Sequence, residues 1–240
     1  MRAPALLLAA LLLAGGAAPA ATSDTPRAVE YVDPARGRRI PVALYGAVPG
    51  TPKPLAVISN GYGGRNTAYG FIAEALVARG FAVAAIQQDL PTDPPMATEG
   101  DLKTLRRPFW QAGADSILFA AEALRREGIA DASPLVLVGH SNGGDIGMLF
   151  AAQHPAMVRA VFSLDNRRMD LPRTSAPRVC TVRSSDLAAD PGVLPDPEEA
   201  HRHRILIAQV PGLRHNDMWD KATAEQKAAV LGHLAACLEG

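Results

Sequence analysis

A single-domain α/β layer structure, with a mainly parallel sheet and helices on both faces, is the fold class that the sequence predicts. Three observations lead to it. Apolar runs of strand length alternate with amphipathic stretches of helix length from residue 55 onward. One run, Leu135-Val136-Leu137-Val138, passes directly into Gly139-His140-Ser141-Asn142-Gly143 and then into a helical pattern. No repeat, linker or second composition divides the chain, and 240 residues at 48% hydrophobic suit one core. Residues 165–177 are too few for a substantial cap domain.

Taken in order, the chain begins with Met1-Arg2, a Leu-rich apolar run and Ala18-Pro19-Ala20, the layout of a secretory leader over residues 1–20. The domain is then residues 21–240, periplasmic or secreted, with no membrane anchor after cleavage. Strands are expected at 28–33 and 39–46, joined as an antiparallel edge pair. A Pro/Gly-rich link leads to a strand at 55–59, apolar throughout and so covered on both faces. It ends in Asn60-Gly61-Tyr62-Gly63-Gly64. A helix at 68–79 stops at Gly80, a buried strand follows at 81–86, and residues 87–102, with Pro91, Pro94 and Pro95, form a long loop suited to rim a pocket. The next helix, 107–127, places Trp110, Ala114, Ile117, Leu118, Ala121 and Leu124 on one stripe. Beyond the Ser141 elbow come strands at 160–164, 178–182 and 205–210 and a closing helix at 223–238.

Lys plus Arg and Asp plus Glu each number 24, giving zero formal charge. Nothing in that balance suggests a nucleic-acid or anionic-membrane partner, and none is expected; Arg106-Arg107 and Arg167-Arg168 are too short to track phosphates. A small molecule is the expected partner and a monomer the expected state. Cys180 and Cys237 fall in a strand and a helix, either as two buried thiols or as a pair.

The chemistry centres on the elbow. Gly139 and Gly143 let strand end and helix start approach closely, and Ser141 is expected at a strained turn with its hydroxyl clear of the sheet. A serine hydroxyl needs a base. His140 lies inside the elbow, His154 and His233 on helices, and His201 and His203 in a polar stretch with no partner at metal spacing. His215 follows the last strand in a loop, where open α/β sheets assemble their sites, and is the expected base. The orienting carboxylate is Asp186 by preference, with Asp165 as alternative and Asp190 as a third choice; all lie near strand ends. The oxyanion amides are expected from Asn142 and Tyr62. Arg65, Arg167 and Arg168 are candidates for holding an anionic substrate group or for a solvated surface. Trp110, Met218 and Trp219 are candidates for an acyl pocket.

These motifs resemble the α/β-hydrolase superfamily, in particular small esterase-like members similar to dienelactone hydrolases and platelet-activating-factor acetylhydrolases. The resemblance spans residues 54–238. Gly139-His140-Ser141-Asn142-Gly143-Gly144 matches the G-H-S-x-G-G elbow, and Ser59-Asn60-Gly61-Tyr62-Gly63-Gly64 resembles the S-H-G-x-G-G oxyanion loop with Asn60 in place of His. It implies a triad acid after the penultimate strand, matching Asp186, or one strand earlier as in acetylhydrolase-like members, matching Asp165. The expectation is a serine hydrolase cleaving a carboxylic ester or related acyl bond without cofactor or metal. A peptidase, a thioesterase or a non-catalytic binding scaffold are the alternatives.

Overall fold

A computed structural model describes residues 25–239; the leader expected at 1–20 lies outside them. Eight strands form one sheet: β1 (Arg27–Asp33), β2 (Arg38–Tyr45), β3 (Leu55–Ser59), β4 (Ala82–Ile86), β5 (Leu135–His140), β6 (Val158–Leu164), β7 (Arg178–Arg183) and β8 (Leu206–Gln209). Their order is β1-β2-β4-β3-β5-β6-β7-β8. β1 and β2 form the antiparallel edge, β2 pairs antiparallel with β4, and every pairing from β4 to β8 is parallel. β3, β4 and β5 are buried along their whole lengths, as unbroken apolar runs require when both faces are covered.

Among the described residues the α-helices are α1 (Gly70–Ala78), α2 (Leu102–Arg126), α3 (Asn142–Gln153), α4 (Pro197–Arg202) and α5 (Ala224–Glu239), and α1, α2, α3 and α5 supply that cover. Trp110, Ile117 and Leu124 of α2 pack with Ile146, Leu149 and Phe150 of α3 on one face. Ile72 and Leu76 of α1 pack with Val230 and Leu234 of α5 on the other. Truncating a fully buried side chain such as Trp110 or Phe150 to Ala would cost about 3–5 kcal/mol.

Two elements differ from the sequence expectation. α2 starts at Leu102 rather than 107, because the Asp101 carboxylate accepts the Thr104 N–H at 3.2 Å and caps the helix there. Pro108 then sits inside the helix instead of opening it. The stretch with His201 forms α4, capped by Asp196. Cys180 on β7 and Cys237 on α5, which the sequence left open, form a disulfide with Cα atoms 6.1 Å apart. Among the described residues no helix is long and apolar enough to cross a membrane.

Candidate active site

β5 runs into Ser141, which adopts φ 50° and ψ −117° before α3 begins at Asn142. Only a tight junction allows this. A Cβ on Gly139 would collide with the Gly143 carbonyl, and one on Gly143 with the Ser59 and Asn60 carbonyls. The elbow therefore needs glycine on both sides of the serine. No side chain caps the start of α3, so its first amides stay open beside the Ser141 hydroxyl.

His215 opens a short 3₁₀ turn after β8. Its Nε2 lies 2.9 Å from Ser141 Oγ and its Nδ1 lies 2.6 Å from Asp165 Oδ2. The carboxylate on the imidazole is thus Asp165, and the preference for Asp186 is corrected. Asp165 follows β6, the immediate neighbour of β5, at φ 57°, and its carboxylate meets His215 Nδ1, the Ser184 N–H and the Arg183 guanidinium. Asp186 lies three residues past the end of β7, and its Oδ1 accepts the backbone N–H of His215 at 2.8 Å. Asp190 is further away still, its carboxylate 3.8 Å from Arg168 Nε. Burial pushes the Asp165 carboxyl upward, but the His215 hydrogen bond, the Arg183 charge and the Ser184 N–H outweigh it and hold it below its ordinary value.

His140, which the sequence left without a role, faces the base. Its Nε2–H donates to the His215 carbonyl at 2.9 Å, which leaves Nδ1 to accept from the Tyr69 hydroxyl at 2.9 Å. Tyr69 Oη in turn accepts the Gly61 N–H at 3.1 Å. Burial, reinforced by repulsion from His215, pushes His140 down to about 4, so it is neutral near pH 7.

Gly61 lies in the loop after β3, and a Cβ there would come 3.5 Å from Ser141 Cβ. The Gly61, Gly63 and Gly64 amides are taken by Tyr69 Oη, Asp89 Oδ2 and the Gly61 carbonyl. Among the described residues, the Tyr62 N–H has no such partner. Asn60, where the resemblance has His, braces the loop through Nδ2 bonds to the Gly61 and Gly64 carbonyls and to Asp89. Asn142 begins α3, and its side-chain Oδ1 accepts the Trp110 indole N–H at 2.9 Å. Two open amides, those of Tyr62 and Asn142, therefore belong to the segments meeting at Ser141.

Other candidates sit differently. Trp110 and Met218 are core residues, not pocket lining; Trp219 donates its indole N–H to the Asn216 carbonyl. Arg167 Nε donates to the Ala188 carbonyl, and the Arg168 backbone N–H to buried Asp145. The loop after β4 rims a cavity of about 380 Å³ lined by Pro94, Pro95, Met96, Leu105 and Phe109. Tyr62 borders it, its ring edge-on to Phe109 and its hydroxyl accepting the Met96 N–H. Sequence reasoning missed the roles of His140, Tyr69 and Arg183, and it named Trp110 as an acyl-pocket candidate where the structure has it donating to Asn142. His140 was within the motif, but the contacts of all these residues are made across elements.

The fold is the α/β-hydrolase fold. A ferulic acid esterase from Streptomyces cinnamoneus superposes with a TM-score of 0.64 at 19% identity, over 93% of this chain and 91% of that one. An α/β serine hydrolase without lid from Xanthomonas campestris gives 0.58 at 18%, over 90% and 96%. A putative dienelactone hydrolase from Klebsiella pneumoniae gives 0.59 at 18%, over 89% and 98%. No family model matches the sequence, and no curated protein matches it.

Proposed function

We propose that this protein is an exported serine hydrolase that cleaves a carboxylic ester or related acyl bond. The hydrogen-bonded line from Ser141 Oγ through the His215 imidazole to Asp165 carries the reading. Ser141 attacks the acyl carbon while His215 Nε2 takes its proton, and Asp165 fixes the tautomer and stabilises the imidazolium. The Tyr62 and Asn142 amides receive the negative charge on the tetrahedral oxygen. The protonated His215 then delivers the proton to the leaving alcohol, and water, activated by the same base, releases the acid.

Structural neighbours named as esterases support an ester over an amide bond. The leader-like residues 1–20 and the Cys180–Cys237 disulfide support an oxidising compartment. A fluorophosphonate probe should label Ser141, and short-chain p-nitrophenyl esters should be turned over faster than peptide amides. Labelling with amide-only or thioester-only turnover would move the assignment to a peptidase or thioesterase. A folded protein that the probe leaves unlabelled would be a binding scaffold.

A further inference from the structure

Arg183, the last residue of β7, is a buried cation inside the site. Its Nη2 lies 2.8 Å from Asp165 Oδ1, close enough for an ion pair but not aligned as a hydrogen bond. Its Nη1 donates to the Asn166 carbonyl at 2.7 Å and the Thr181 hydroxyl at 3.2 Å, which anchors the guanidinium in place. Asp165, wholly buried, turns its other oxygen to His215. One carboxylate thus stands between a permanent cation and a base that becomes a cation during reaction. Orienting a histidine needs only the second.

Resting on the hydrolase reading above, we propose that Arg183 is a positioning residue that keeps Asp165 an ionised partner for His215, extending activity to lower pH. A carboxyl without solvent favours its neutral form, and an adjacent guanidinium reverses that preference. The carboxylate consequently stays ionised, and able to hold His215 Nδ1, into more acidic solution. The other charged or titratable groups facing this pair are His140 at the end of β5, neutral by burial, Asp145 on α3, Arg167 after β6, and Asp186 with Arg214 on the loops. Arg183 is the cation in contact with the acid itself.

The test follows the rate at which a fluorophosphonate labels Ser141, from about pH 4 to 9, in the wild type, R183Q and R183K. This needs no knowledge of the natural substrate. In R183Q the acid limb should move up by about one pH unit, so that labelling on that limb falls about tenfold relative to the plateau. R183K retains the charge and should keep the wild-type limb. A wild-type limb in folded R183Q, or a limb in R183K displaced as far as in R183Q, overturns the proposal. Should R183Q fail to fold, R183M, which removes the charge and keeps an apolar stem, is read in its place by the same criteria. A wild-type protein that is never labelled removes the hydrolase reading itself, and this inference with it.

Discussion

His215 is held at four points, and the two rival carboxylates occupy different ones. Asp165 takes the ring Nδ1, Ser141 faces Nε2, Asp186 accepts the backbone N–H, and His140 donates to the carbonyl. Asp165→Asn should lower kcat/KM on the order of 10³–10⁴-fold by spoiling the tautomer. Asp186→Ala removes only a backbone anchor and should cost roughly tenfold. Steady-state kinetics on one p-nitrophenyl ester compare them, and equal losses would contradict this division of labour. Ser141 and His215 were legible in the sequence, one from its motif and the other by elimination among six histidines. The acid was not, because distance along the chain says only that each Asp follows a strand. What separates them is the left-handed turn at Asp165 and the adjacency of β6 to β5, neither of which leaves a local pattern.

At the level of elements, the disulfide joins the end of the chain to the sheet, closing a span of 57 residues between β7 and α5. Loop-closure entropy assigns such a link about 4 kcal/mol. The double variant C180A/C237A should therefore unfold at clearly lower denaturant while keeping its activity at room temperature, since neither sulfur approaches Ser141 or His215. Urea melts and a kinetic assay on the same sample test both halves. The strands were legible because a parallel sheet covered on both faces demands continuous apolar runs, as in Leu55-Ala56-Val57-Ile58. The start of α2 was not, since Pro108 suggests a first turn whereas the Asp101 cap sets the helix going a turn and a half earlier.

Across the whole molecule, two buried groups give opposite responses to acid. Burial lowers His140 from 6.5 to about 4 and raises Asp145 from 3.8 to about 6. As pH falls from about 6.5 toward 4, the unfolded chain binds a proton at residue 140 that the native state refuses, so stability is lost. Over much of that window the native state binds a proton at Asp145 that the unfolded chain refuses, so stability is gained. Each effect is on the order of 3 kcal/mol, and they largely cancel. Asp145→Asn should steepen the fall of Tm between pH 6.5 and 4, and His140→Gln should flatten it. Melts at several pH values would reveal curves parallel to wild type if no such opposition exists.

The backbone of Ser141 also has a consequence for the protein's endurance. A non-glycine residue at φ 50° and ψ −117° carries a conformational load of about 1–3 kcal/mol, against a typical global stability of only about 5–15 kcal/mol. Glycine takes that conformation freely, so Ser141→Gly should unfold about 1 kcal/mol harder than the parent while losing its nucleophile. Heat tolerance and turnover thus pull in opposite directions at a single residue. A screen for robust variants that ignores activity would reward the loss of the reactive hydroxyl.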